Sequence, residues 1–399
     1  MPRPSLEMAD IFRQHGESYR AKHRLPRHQR RLMRAIEICR TAALGGHVDK
    51  CGHCSYTRIS YNSCRNRHCP KCQSLARARW LDRRKAELLP VEYFHVVFTL
   101  PAEIAPLALH NQKAVYNILF RATAETLLTI ARDPKHLGAE IGFFAILHTW
   151  GQNLLLHPHL HCVVPGGGLS PDGNRFLLCK PGFFLPVRVF SRLFRRLFLE
   201  ALEHAFDQGQ LQFFASLEPL QDRAAFTAYL QPLRSCEWVV YAKPPFGGPH
   251  QALEYLGRYT HRVAIANQRL VSHEGGSVTF RWKDYRHQQR SKLMTLSADE
   301  FIRRFLLHSL PPGFQRIRHY GLLSNHHRQE ALDLCRRLLN SPITALLPNP
   351  RRDFRELYLA LTGHDLTCCP KCKQGVMVTI ETLAPIRFAG NHPIPEDSS

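Results

Sequence analysis

Seven candidate metal ligands crowd into 26 residues of this chain: His47, Cys51, Cys54, Cys64, His68, Cys69 and Cys72. No other stretch constrains the fold as tightly, because a closed metal site holds a short segment that could not bury a core of its own. Cys51/Cys54 and Cys69/Cys72 have the Cys-x-x-Cys spacing that puts both sulfurs of a tight knuckle on one ion, and fourteen residues separate the pairs. The pattern predicts a four-cysteine zinc ribbon. Thiolates are soft ligands and select zinc over magnesium. Four donors complete a tetrahedral ion, so His47, Cys64 and His68 either support the ligands or belong to a second site. Arg58, Arg65, Arg67 and Lys71 decorate this module, and Arg77, Arg79, Arg83, Arg84 and Lys85 follow on a helix. A ribbon that grips DNA needs such charges, although one that only braces a fold can carry them too. Near the other end, Cys369-Pro370-Lys371-Cys372 repeats the tetrapeptide Cys69-Pro70-Lys71-Cys72. One knuckle supplies two ligands, so a zinc there would need Cys368, His364 or a distant partner such as Cys335.

Charge narrows the class of partner. Lys plus Arg number 54 against 32 acids, a formal net charge of +22. Phosphate-rich partners are the usual meaning of such an excess, with an anionic membrane surface as the competitor. The sequence has no apolar run of about 18 residues and no apolar signal core near Met1, which disfavours the membrane. Thirteen clustered cysteines suit metal ligation in a reducing compartment better than secreted disulfides. A cytoplasmic, nucleoid-associated protein facing nucleic acid is expected. The basic segment from Met1 to Arg40 reads as helical, with Arg27, Arg30, Arg31 and Arg34 spaced to share a face for phosphate contact or solvation.

From Tyr93 the pattern changes to that of an α+β domain with a mainly antiparallel sheet. Tyr93 to Leu100 is an apolar β-rich run stopped by Pro101. A long helical tract from about Pro106 to Arg132 precedes a strand from Gly142 to Trp150. Phe176 to Leu178 and Phe184 to Val189 read as short strands, Phe190 to Gln208 and Asp222 to Leu233 as helices, and Glu237 to Ala242 as a strand. A hairpin is expected from Val263 to Val271 and Val278 to Tyr285, turned at Glu274-Gly275-Gly276. Ser297-Ala298-Asp299-Glu300 has the form of a capping box opening a helix. The tail from Asn391 to Ser399 is polar and reads as disordered.

Within this domain His157-Pro158-His159-Leu160-His161 alternates as a strand does, placing three imidazoles on one face. Adjacent same-face imidazoles can share a cation, and the blander alternative is a half-buried strand with solvated histidines. Downstream, Tyr255-Leu256-Gly257-Arg258-Tyr259 sets two phenols one helical turn apart. By itself that spacing also fits an ordinary amphipathic helix. A metal-binding histidine pair together with helical tyrosines is the chemistry of a DNA-nicking transesterase.

The ordered set Phe98-Thr99-Leu100, His159-Leu160-His161 and Tyr255-x3-Tyr259 resembles the three motifs of rolling-circle replication initiators and HUH transposases, where HUH denotes two histidines around a hydrophobic residue. Together with the zinc-cysteine front end, Trp150-Gly151-Gln152 and Tyr255 to Arg262, it is similar to the two-tyrosine transposases of the IS-ninety-one insertion-sequence family, over roughly residues 15 to 375. The resemblance implies a ferredoxin-like antiparallel sheet with the histidines on a central strand and the tyrosines on a facing helix. It implies nicking and rejoining of single-stranded element ends and target DNA. The domains expected are a basic helical and zinc-binding unit over residues 1–90, an HUH/tyrosine catalytic domain over 91–320, and a C-terminal helical segment over 321–399 with Cys369 and Cys372 as a candidate second zinc knuckle.

The residues expected to carry the reaction are His159 and His161, holding magnesium or manganese, and Tyr255 and Tyr259 as nucleophiles giving a 5′-phosphotyrosine. Arg258 and Arg262 would steady phosphates. One phosphodiester is exchanged for another, in keeping with the lack of a G-x-x-x-x-G-K-[S/T] phosphate loop. Two nitrogens are too few for such an ion, and Gln152 or His157 is expected as a third ligand. Two other functions stay open: a replication initiator or relaxase with the same chemistry, and a non-catalytic zinc-ribbon DNA-binding protein.

Overall fold

The computed structural model describes residues 6–85, 87–182, 184–243, 251, 257, 263–284, 290–341, 354–363 and 365–386. The chain begins with helices α1 (Met8–Lys22) and α2 (Arg27–Ile38). Their apolar stripes, Met8, Ile11, Phe12 and Tyr19 against Leu32, Met33 and Ile36, meet in one buried cluster. Arg27, Arg30, Arg31 and Arg34 all lie on the exposed side of α2. Strands β1 (Gly46–Cys51) and β2 (Thr57–Tyr61) form an antiparallel ribbon, followed by α3 (Gln73–Lys85).

The centre of the molecule is a sheet built on β3 (Tyr93–Thr99), β4 (Gly142–Trp150) and β5 (Leu156–Pro165). Helices α4 (Ala105–His110) and α5 (Gln112–Arg132) separate β3 from β4. The single helical tract expected there is divided at Asn111, whose backbone (φ −122°, ψ 40°) leaves the helical region. Its amide nitrogen donates to the carbonyls of Leu107 and Gln212, and that anchoring outweighs helix continuity. Next come the short pair β6 (Gly167–Leu169) and β7 (Phe176–Leu178), then α6 (Val187–Asp207) and α7 (Arg223–Ser235). The strand expected over Phe184 to Val189 is instead the entry to α6. Pro186 stands at the N-cap position with its carbonyl accepting from the Val189 and Phe190 amides, and the spacing of Phe190, Phe194 and Phe198 prevails over the local alternation.

Strand β8 (Val240–Lys243) completes one edge of the sheet. After it, β9 (Leu270–Glu274), β10 (Ser277–Asp284) and β11 (Arg290–Ser297) make a separate antiparallel sheet. Gly275 and Gly276 turn β9 into β10 with φ of 55° and 72°, a left-handed pair that favours glycine. Residues 263–269 are not the strand expected, and the third strand, β11, is too polar and exposed to stand out in the sequence. Ser297 accepts from the Glu300 amide and opens α8 (Ala298–Leu306), which is the N-cap half of the expected capping box, while the Glu300 carboxylate accepts from Arg303 and Arg304. Phe301 and Phe305 of α8 join the cluster of α1 and α2, where Phe12 meets Phe305 at 5.6 Å.

The C-terminal part contributes β12 (Ile317–Gly321), α9 (Arg328–Leu338), α10 (Phe354–Thr362) and β13 (Met377–Leu383). Strand β12 is the other edge of the central sheet, whose order is β12-β4-β5-β3-β8, antiparallel throughout. Strand β13 returns to the beginning of the chain and pairs with β1, giving the order β13-β1-β2. The expected tail, Asn391 to Ser399, lies outside the described residues.

The central sheet has two unlike faces. Phe94, Val96 and Phe98, with Leu160, Cys162, Val164, Phe143, Ala145 and Leu147, pack under α5 and α6 in the largest core. On the other face, Phe144, Ile146 and Val163 are covered by α3 and α9 through Trp80, Leu332 and Cys335. That cover spans only one end. The histidines lie beyond it. No helix among the described residues is long and apolar enough to cross a membrane.

Two histidines near this sheet make stability depend on acid. His308 is buried, with Nε2 donating to the Leu154 carbonyl at 3.1 Å, and burial pushes its pKa down to about 4. His319, against Arg84 at 3.1 Å, is likewise depressed to about 4, by burial first and then by that guanidinium. Both are therefore neutral in the fold, while unfolding takes up protons below the ordinary histidine value. Their contribution is complete above about pH 6.5 and is lost between there and about pH 4, at roughly 1.4 kcal/mol per pH unit for each. Urea midpoints should fall across that window, and His308→Gln should flatten the slope.

Candidate active site and metal centres

Strand register places the histidines. His159 lies opposite Thr99 on β3 and His148 on β4, and His161 lies opposite Val97 and Ile146. Residues so paired share a face, so His148, His159 and His161 converge across two strands. Their ring nitrogens all lie within 4.8 Å of one another. His148 and His161 are buried, and His159 is half-buried, so the group opens toward solvent on the His159 side. His157, expected as a third ligand, is exposed and lies outside this group, although its carbonyl contacts Nδ1 of His159 at 2.6 Å. Gln152, the other expectation, offers its backbone carbonyl to Arg269.

Buried residues set the orientation of these rings. Nε2 of His95 lies 2.7 Å from Nδ1 of His161, the two rings nearly parallel. Burial pushes the His95 pKa down to about 3, so this ring is neutral at ordinary pH. Trp150 stacks on His148 at 4.6 Å. Behind it His308 spans Thr149 and Leu154, fixing the end of β4. Tyr255, Tyr259, Arg258 and Arg262 lie outside the described residues. Gly257 between them is described and helical, and a Cβ there would meet the Leu81 side chain of α3 at 2.6 Å. Gly257 thus lies close against α3, which itself packs on the histidine face through Trp80 and Phe144.

Eight cysteines form two sets of four. Cys39, Cys64, Cys69 and Cys72 gather between the end of α2 and the start of α3, and Cys51, Cys54, Cys369 and Cys372 gather where β1 meets β13. In the first set Cys72 Sγ lies 3.5 Å from Cys39 and 3.6 Å from Cys64. In the second, Cys51 to Cys372 is 3.8 Å and Cys54 to Cys369 is 3.7 Å. A tetrahedron of sulfurs about 2.3 Å from zinc has edges of about 3.8 Å, so both donor sets fit that ion.

This grouping differs from the ribbon expected. Cys51/Cys54 and Cys69/Cys72 do not share a site, because β1 carries the first knuckle away toward β13. Cys64 is a member of the first set, and Cys39, which closes it from the C-cap of α2, was not anticipated. His47 and His68 belong to neither set. His47 is half-exposed, 3.5 Å from Asp49, and His68 accepts from the Leu310 amide. Cys368 and Cys335 also stand apart from the cysteine sets, and His364 lies outside the described residues.

Several basic residues of the front end are spent inside the fold. Arg58 pairs with Asp49, Lys71 with Glu7, and Arg84 with Glu87, while Arg67 donates to the carbonyls of Phe314 and Pro311. Arg79, Arg83 and Lys85 are exposed on α3.

Residues 11–100 match a family model described as "Transposase zinc-binding domain", and residues 142–331 match one described as "Putative transposase". The chain is 65% identical over 383 residues to the "Putative transposase y4qJ" of Sinorhizobium fredii, spanning 96% of each. It is 26% identical over 352 residues to the "Transposase for insertion sequence element IS801" of Pseudomonas savastanoi pv. phaseolicola, spanning 86% of this chain and 81% of that one. No solved structure matches it significantly. With both family models in chain order and a relative this close over nearly its whole length, the chain belongs to the IS-ninety-one family of insertion-sequence transposases and carries an N-terminal zinc-binding domain.

Proposed function

We propose that this transposase nicks and rejoins single-stranded DNA at the histidine face, through a 5′-phosphotyrosine on Tyr255 or Tyr259. The convergence of His148, His159 and His161 within 4.8 Å carries the reading. A five-stranded antiparallel sheet with the histidine strand in the middle of its order supports a ferredoxin-like HUH arrangement. The closeness of Gly257 to Leu81 of α3 supports drawing the nucleophile from the tyrosines that flank it in sequence.

The surroundings suit these imidazoles to ligate through Nε2. His159 commits Nδ1 to the His157 carbonyl, so its proton sits there. For His161 to ligate, its Nδ1–H must donate to His95, which accepts at Nε2 and keeps its own proton on Nδ1. Burial keeps His95 neutral, and a neutral ring has one nitrogen free to accept. Three nitrogens leave positions open for water and phosphate oxygens, and they favour manganese over magnesium. When bound, the ion would polarise the scissile phosphate as a Lewis acid. The tyrosine hydroxyl gives up its proton as its oxygen bonds to phosphorus, the bond to the 3′ oxygen breaks, and that oxygen takes up a proton to leave as a 3′-hydroxyl. Rejoining reverses the exchange with another 3′-hydroxyl. Exposed Arg79, Arg83 and Lys85 give the adjoining α3 a surface for the DNA backbone.

The test is incubation of the full chain with labelled single-stranded element ends and manganese. A covalent adduct that a chelator prevents is expected. If zinc-loaded protein binds the ends yet forms no adduct with manganese or magnesium, the reading fails and a non-catalytic DNA-binding role replaces it.

A further inference from the structure

We infer that the second cysteine set is a zinc site divided between the two ends of the chain, and that its ion locks the C-terminal arm, residues 365–386, onto the N-terminal domain. Two of its donors, Cys51 and Cys54, come from the knuckle after β1, and the other two, Cys369 and Cys372, from the knuckle before β13. The stretch matched as a zinc-binding domain, residues 11–100, holds only half of this site.

Both knuckles are built to present sulfur. The amides of His53 and Cys54 point at Cys51 Sγ, 3.3 and 3.5 Å away, and the Gly375 amide points at Cys372 Sγ, 3.4 Å away. Such N–H donors favour the charged thiolate that metal binding requires. Gly375 itself lies against Cys51 Sγ, where any side chain would collide with the sulfur, so the two knuckles approach as closely as backbone permits. The opposed sulfur pairs stand at the edge length of a zinc tetrahedron.

Beyond the β1–β13 ladder, the Thr379 hydroxyl donating to Asp49 and Arg58 donating to the Leu366 carbonyl, the arm has little apolar burial to secure it. The apolar cluster at this junction has three buried members, Cys51, Cys369 and Met377, two of them ligands. Ile59, Val378 and Ile380 on the same three-stranded sheet are all more than half exposed. The ladder between β1 and β13 is interrupted by a register shift at Val48/Asp49. A small sheet with so little burial needs a cross-link, and here the metal supplies one.

Native mass spectrometry of the zinc-loaded full chain tests this directly. Two zinc ions per chain are expected, falling to one in Cys369→Ser/Cys372→Ser, to one in Cys51→Ser/Cys54→Ser, and still to one when all four are replaced. Lys371 and Lys373 are already exposed, and the metal holds their backbone rigid. Tryptic cleavage there should therefore accelerate about tenfold or more in either pair, as release of the arm lets that backbone unfold into the protease. Cys368→Ser should keep two ions. Cys372→His retains a donor and should also keep two, which separates lost ligation from general misfolding. Two ions remaining in Cys369→Ser/Cys372→Ser would overturn the inference. So would a further loss in the quadruple variant, which would mean that the pairs serve different ions.

Discussion

Replacing His148 with alanine should slow single-strand nicking about 100-fold to 10,000-fold, with both cysteine sets still carrying zinc. The figure follows from the several kcal/mol that a Lewis acid gives a phosphoryl transition state, each 1.4 kcal/mol being a factor of ten in rate. His148 sits on β4 opposite His159, and its ring lies 4.5 Å from that of His161. Without it two nitrogens remain, and the ion's residence and placement both suffer. The loss should therefore be steepest at limiting manganese and recover in part as manganese rises. His159→Ala/His161→Ala should abolish nicking at any concentration, because no anchoring pair survives. Nicking rates against manganese concentration, with zinc counted in the same preparations, make the measurement. Near-normal nicking by His148→Ala at limiting manganese would remove it from the site.

His148 shows what a sequence can and cannot display. Strand β5 announces itself because Pro158, Leu160 and Cys162 alternate with histidines. Strand β4 is buried along its entire length, so its residues show no alternation, and a lone histidine in an apolar run reads as core. Register alone turns that histidine toward His159. The cysteines teach the same lesson at longer range. Cys-x-x-Cys spacing identifies a knuckle reliably, since the two sulfurs are neighbours in sequence. Which knuckles share an ion is a tertiary property, and no local pattern reveals that Cys51 meets Cys372. Cys39 was hidden for a further reason, standing alone at the end of a helix with no partner three residues away. Features set by neighbours, such as the Ser297 cap, the Gly275-Gly276 turn and the strand identities of β3, β4 and β5, were legible. At the entry to α6 the local alternation points to a strand, and Pro186 converts that run into a helix start.

The two tyrosines should separate by task. On the proposed mechanism, Tyr255 and Tyr259, four residues apart in the sequence around Gly257, are the two phenols one active site would draw on. A single nick consumes one nucleophile. Transfer between two DNA ends requires a second while the first still holds a 5′-phosphate. Tyr255→Phe and Tyr259→Phe should therefore each retain nicking within about tenfold of the parent, yet lower complete transposition at least about 100-fold. The double variant should form adduct at less than about one part in 10,000, as when a covalent nucleophile is lost outright. Phenylalanine differs from tyrosine by one hydroxyl, so packing on the helix changes little and the losses are chemical. Denaturing gels count the adduct, and peptide mapping locates it in each variant. Covalent DNA on neither residue would end the phosphotyrosine mechanism. Adduct confined to one residue in every condition would make the second phenol structural and leave strand exchange to a second copy of the protein.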